Sequence, residues 1–223
     1  MPFFLGLLKS LDELLYEVIS WLLFWPLTLW AMLRHPRRML AYAGRELKDA
    51  PERQYTDTLQ PPLFLVLSVL LVHGIELATV GDSPIVADRI GLAGVISDDT
   101  NLMILRLVSF GALPLILAAR LVKRQGHKLD REVLKPHFYA QCYAAGTLAF
   151  LLGVSGVALQ MVWPWAKVAG LLGVLAAFGW FGLVQLDWFN RHLRGGVWRA
   201  AWDASVTMVL CVAMLAVVAA LFG

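Results

Sequence analysis

The chain has 223 residues, 59% of them hydrophobic and only 16% charged, with a mean hydropathy of +0.68, which excludes an ordinary soluble domain of this length. Charge is gathered into a few clusters between long apolar runs, the segregation that a lipid solvent imposes. The net charge of +3 does not imply nucleic-acid binding, because no basic stripe is interleaved with aromatics on a polar face.

Residues 1–33 place Leu5, Leu8, Leu11, Leu15, Ile19 and Leu22 at spacings of three and four, with Lys9, Asp12, Glu13 and Glu17 between them. This pattern predicts an amphipathic helix. It lacks the basic start and small-residue cleavage site of a signal peptide, so the segment is expected to be retained. The uncharged part, Val18 to Leu33, is about 24 Å long at 1.5 Å per residue, against a hydrocarbon core of about 30 Å. Pro26 interrupts it, and Trp21, Trp25 and Trp30 favour the headgroup boundary. An interfacial or re-entrant helix is therefore expected, with a short sixth span as the competing reading.

Residues 34–61 are polar, mixed in charge and punctuated by prolines, a membrane-proximal loop with one short helix. Five apolar segments follow at about 62–80, 101–122, 138–162, 166–188 and 200–222, making residues 62–223 a five-span all-α transmembrane domain. Segments 34–61 and 120–135 each carry six Lys or Arg and 189–199 carries three, whereas 81–100 has only Arg89 and 163–167 only Lys167. The positive-inside rule then puts the basic segments, and with them the N-terminus, in the cytoplasm. The loop with Asp82, Asp88, Asp98 and Asp99 faces outward, and so does the C-terminus.

Small residues recur at i+4 as Ala145, Ala149 and Gly153 on the third span and as Ala169, Gly173 and Ala177 on the fourth. Such faces allow close backbone approach. The tight Trp163-Pro164-Trp165 turn makes these two spans an antiparallel hairpin with interfacial tryptophans.

Ionisable residues within spans carry the sharpest signal, since each costs ~2.5–3.5 kcal/mol at a helix centre without a partner or water. Running outward, the first span puts His73 near mid-membrane and Glu76 one turn further out. The second span runs inward and brings Arg106 to the same depth as Glu76, so the two are expected to touch. Such a pair either fixes the docking of two helices or, with His73, lines a polar site in the outer half of the membrane. Asp187 and Asp203, near the inner ends of the last two spans, have Arg191 and Arg199 one turn away as expected partners. Cys142 and Cys211 read as small apolar fillers, and no metal or cofactor motif is present, so no cofactor is expected.

Gly153-Val154-Ser155-Gly156 resembles the Gly-x-Ser-Gly of rhomboid intramembrane proteases. That resemblance implies a histidine base on a later span. His192 falls instead in a cytoplasmic segment, so packing is the expected role of Ser155, and the chain is not expected to be an enzyme.

The stretches Arg45-Glu46-Leu47, Gln54-Tyr55-Thr56-Asp57, Pro61-Pro62, Ser97-Asp98-Asp99-Thr100-Asn101 and Pro136-His137-Phe138-Tyr139-Ala140-Gln141-Cys142 resemble a small bacterial inner-membrane family loosely labelled permeases. That resemblance implies a multi-pass protein of the bacterial inner membrane and names no substrate or binding residue. The five clustered spans are also similar in architecture to the Yip family of trafficking proteins, whose larger hydrophilic N-terminal part is here replaced by a short amphipathic helix. Two functions are therefore expected: a small permease or channel-like component, requiring a homo-oligomer or partner subunit, or a non-transporting scaffold held to anionic lipid and a partner protein.

Overall fold

The computed structural model describes the backbone of residues 2–81, 99–193 and 196–222 and the side chains of residues 12–81, 102–193 and 196–214. Most of the expected outward loop, including Asp82, Asp88, Arg89 and Asp98, lies outside the described residues, as do the side chains of Leu5, Leu8, Lys9 and Leu11. Among the described residues the fold is all-helical: α1 (Pro2–Arg34), α2 (Pro36–Glu46), a 3-10 turn (Pro51–Arg53), α3 (Pro61–Thr79), α4 (Asp99–Arg124), α5 (Arg131–Gln160), α6 (Pro164–His192) and α7 (Gly196–Phe222). Six of these helices contain stretches long and apolar enough to cross a membrane: α3 to α7, and Asp12–Arg34 within α1.

Local chemistry sets the ends. Pro36, Pro61 and Pro164 stand in the first turns of their helices, where a missing N–H costs nothing. Asp130 caps α5 by accepting the Glu132 N–H at 3.3 Å. That cap starts α5 at Arg131, seven residues before the expected start at 138, and the helix carries Pro136 inside it at the cost of one backbone hydrogen bond.

α5 is the central helix, packed by α1, α2, α3, α4 and α6. Residues 140–149 are buried without interruption, so this stretch has neighbours on every face. Gln141 and Gln185 form a reciprocal amide pair across α5 and α6, at 3.1 and 2.7 Å, with both residues essentially inaccessible. Each amide satisfies the other, which turns two buried polar groups into interhelical ties.

The small-residue faces have different neighbours from those the hairpin implies. On α5, a Cβ added to Gly146 would lie 3.0 Å from the Leu65 Cα, and one on Gly153 would lie 2.1 Å from Val72 Cγ1, so this face receives α3. On α6, the packed positions are Ala166, Gly170, Gly173 and Ala177, and Ala169 is exposed. A Cβ on Gly170 would meet the Ser155 carbonyl at 2.7 Å and one on Gly173 would meet Ser155 Oγ at 2.4 Å. α6 therefore docks beside Ser155, on a flank of α5 displaced from the Ala145–Ala149–Gly153 row.

α1 departs most from expectation. It continues through Pro26 as one helix, and its C-terminal half is seated on the bundle rather than lying apart from it. Thr28 and Met32 are fully buried. The Leu59 N–H donates to Thr28 Oγ1 at 3.1 Å, and Trp25 Nε1 donates to Ser68 Oγ at 3.1 Å. Trp25 also meets Phe64 and Phe150, with centroids at 6.2 and 4.7 Å. Going back along α1 from Thr28 to Trp25, the partner moves from the start of α3 to Ser68, about 10 Å along that helix. α1 thus runs antiparallel to α3 and enters the apolar depth of the bundle. These contacts compensate for the single backbone hydrogen bond that Pro26 removes.

Between α2 and α3 the loop is held by its tyrosines. Tyr55 adopts φ 56°, a left-handed conformation stabilised here by its N–H donating to Glu46 Oε2 and its hydroxyl donating to the Ala43 carbonyl, both at 2.8 Å. Tyr42 donates to Asp57. Burial first, then that hydrogen bond, push the Tyr42 hydroxyl well above the ordinary tyrosine range, so it remains a donor throughout physiological pH. Tyr143 of α5 donates to the Leu59 carbonyl at 2.6 Å and fastens the loop to the central helix.

Candidate intramembrane polar site

Glu76 lies in the last turn of α3, Arg106 in α4, and the two side chains form an ion pair. Their meeting follows from depth: two antiparallel helices bring an acid and a base to one level. The Glu76 side chain is 5% exposed and the Arg106 side chain 21%, so the carboxylate is the deeper partner and the guanidinium reaches it from the rim.

A third member comes from the end of α5. Gln160 Nε2 donates to Glu76 Oε1 at 3.2 Å and to the Gly156 carbonyl at 3.4 Å. Both oxygens of Glu76 are therefore occupied, one by Arg106 and one by Gln160. A scan for charged residues in apolar runs passes over Gln160, because a neutral amide at a helix end carries no such signal. Its other atom, Oε1, is buried without a partner among the described residues.

Beside the trio lies a cleft of about 210 Å³ between α3, α4 and α5. Apart from Glu76, Arg106 and Gln160, its walls are apolar or small, among them Val72, Phe110, Ala149 and Gly153. His73 is not part of that wall. It is 8% exposed, and its Nδ1 has no partner among the described residues. The structure thus joins Glu76 to Arg106 and leaves His73 one turn away, outside their hydrogen-bond network.

Ser155 donates to the Leu151 carbonyl at 2.7 Å, within its own helix, while its side chain fills the space left by Gly173. Its hydroxyl is engaged in packing two helices together. Cys142 and Cys211 are both buried and unpaired.

Two further ion clusters tie the other end of the bundle. Asp187 pairs with Arg191 at 3.0 Å, the expected one-turn partner, and also with Arg37 of α2 at 3.0 Å. Asp203 differs from the sequence expectation. Its Oδ1 accepts from Arg120 Nη2 and Arg124 Nε of α4, each at 2.8 Å, while Arg199 is exposed. Asp203 is only 3% exposed because it faces α4, where two guanidinium groups converge on it. The chemistry available in the described helices is charge compensation: each buried carboxylate within the bundle meets at least one guanidinium.

Compared with models of protein families, with curated proteins and with solved structures, the chain has no significant match.

Proposed function

We propose that this protein is a non-transporting membrane scaffold, a six-helix bundle that uses its intramembrane polar groups to hold helices together. The observation that carries the reading is the unbroken burial of residues 140–149 on α5. A conduit through one bundle must line its walls with partly open positions, whereas the stretch around Gln141, Tyr143 and Thr147 has neighbours on all sides. The setting of Glu76 points the same way, since its charge is already balanced by the Arg106 guanidinium and its other oxygen accepts from Gln160, so the carboxylate needs no transported cation to compensate it.

In this reading the basic ends of α2, α4, α5 and α6 lie at the cytoplasmic boundary of a bacterial inner membrane. Asp12–Arg34 has 23 residues, about 35 Å of helix, which is enough to cross. Its antiparallel register with α3 supports a crossing helix over an interfacial one. That arrangement places Asp12, Glu13 and Glu17 at the outer boundary, and the N- and C-termini both outside.

A small permease component is the second reading, favoured by the cleft of about 210 Å³ beside Glu76 and Arg106. It requires a second copy or a partner subunit to continue the path past α5. Osmotic swelling separates the two. Proteoliposomes of the purified chain should re-swell in small sugars, amino acids and monovalent salts at the rate of protein-free liposomes. Faster re-swelling in any of these would overturn the scaffold reading in favour of the permease.

A further inference from the structure

At the end of the bundle that carries the basic segments, a cleft of about 340 Å³ opens between α2, α5 and α6. Its functional side chains are Arg37, His137, Asp187, Trp188, Arg191 and His192. Asp187 pairs with both arginines at 3.0 Å, so one carboxylate is set against two guanidinium groups and a positive charge remains. The two arginines are well exposed, at 66% and 54% of their side chains, and can turn toward a ligand without breaking the core.

Trp188 lines the cleft although it is only 6% exposed, and its Nε1–H is buried with no acceptor among the described residues, out of reach of a ligand in the cleft. The ring is held in place by His192 and His137, with centroids at 4.0 and 6.1 Å. His192 Nδ1 lies 2.8 Å from the Trp188 carbonyl, which can only accept, so that nitrogen carries a proton. Surplus positive charge on two exposed guanidinium groups describes a cleft suited to an anion with several acceptor oxygens.

The neighbouring surface identifies the anion's carrier. Arg37, Leu40 and Asp187 also line an adjoining groove of about 260 Å³ whose other walls include Leu33, Trp180, Leu183 and Val184. Trp180 lies about 10 Å further along α6 from Asp187, toward the apolar middle of that helix. A soluble anion would use the cleft and leave the groove empty, whereas a lipid fills both.

The geometry points to a binding site for an anionic glycerophospholipid, its phosphate held by Arg37 and Arg191 and one acyl chain laid against Leu40, Trp180 and Leu183. The site rests on the membrane placement argued above and gives the scaffold a specific lipid contact at its cytoplasmic boundary.

The test uses the full chain purified in detergent, with phosphatidylglycerol, phosphatidylcholine or inorganic phosphate added. Melting temperature and retained lipid, by native mass spectrometry, are the readouts. Phosphatidylglycerol should raise the melting temperature and remain bound, while the other two should do neither. Arg37→Gln should weaken phosphatidylglycerol binding roughly tenfold, the loss of one charge-assisted contact, and Arg53→Gln, at an exposed arginine outside the cleft, should leave it unchanged. Asp187 keeps Arg191 in the Arg37 variant, so the fold should persist. Arg191→Gln, which leaves Asp187 paired with Arg37, should weaken binding in the same direction, which keeps the test readable if Arg37→Gln misfolds. Equal stabilisation by phosphatidylcholine, stabilisation by phosphate alone, or equal weakening by Arg53→Gln would each overturn the proposal. Because binding is read in detergent, its failure is distinguishable from a failure of the swelling assay.

Discussion

Arg106→Met should destabilise the bundle by about 3–5 kcal/mol, the cost of leaving a buried carboxylate without its cation, and Glu76→Gln/Arg106→Met together should recover most of that loss. The asymmetry between the single variants follows from geometry. Glu76 is short and its side chain 5% exposed, so the carboxylate cannot leave the interior when Arg106 is removed. Arg106 is longer and its side chain 21% exposed, so in Glu76→Gln it can turn toward the outer headgroups. The expected order of damage is Arg106→Met, then Glu76→Gln, then the double variant. In the double variant the amide introduced at position 76 still offers an oxygen to Gln160 Nε2, which preserves the contact between α3 and α5. Denaturant unfolding of the purified protein in micelles measures all three, and their cycle gives the coupling energy of the pair. A double variant as damaged as Arg106→Met would contradict this assignment of the pair.

Asp203→Ala should be the next most disruptive change, because it leaves two arginines facing one another. Arg124 has a half-exposed side chain and can extend into water, but the Arg120 side chain is 20% exposed and its Nε already lacks a partner among the described residues. The expected loss is about 2–3 kcal/mol, below the full cost of a buried break because one of the two cations can escape. Adding Arg120→Met should return much of it. Arg199→Gln, at the position one helical turn before Asp203, should change stability by less than about 0.5 kcal/mol, as substitutions at exposed sites do. Unfolding midpoints of these variants, compared under one detergent condition, decide between the two assignments of the Asp203 partner.

The contrast between Arg120 and Arg199 shows what a sequence can carry. Hydropathy and charge clustering are properties of position along one chain, and they are sufficient to locate α3 to α7. Depth is also one-dimensional once direction is known, which is why the pairing of Glu76 with Arg106 is legible in the sequence. The lateral direction a side chain takes is set by which helix lies beside it. Asp203 faces α4 rather than its own preceding turn, and nothing in the residues 199–203 encodes that choice. Ala169 and Ala166 are equally small, yet only Ala166 is buried, because the docking of α6 beside Ser155 selects the row that holds Gly170 and Gly173.

Neutral polar groups are likewise silent in the sequence. Gln160 completes the Glu76 site and Gln141 with Gln185 ties the core, but an amide costs less to insert than a charge and so stands out less in an apolar run. For α1, Pro26 and three tryptophans are legible as interface signals, whereas the seat on Ser68, Leu59 and Phe150 depends on residues remote in sequence. Its side chains from Asp12 to Ile19 are exposed, among them Leu15, Tyr16 and Ile19, which suits a helix whose apolar surface meets lipid.

Sided thiol labelling in lipid tests most directly whether this bundle is solid. With Cys142 and Cys211 replaced by alanine, one cysteine is placed at Gly156, which lines the outer cleft and has open space at its Cβ position, and another at Thr147, which is fully buried on α5. A membrane-impermeant thiol reagent should label Gly156→Cys from the outside and leave Thr147→Cys untouched from either side. Labelling of Thr147→Cys from both faces of the membrane would show water running past the central helix, and the scaffold account would be wrong.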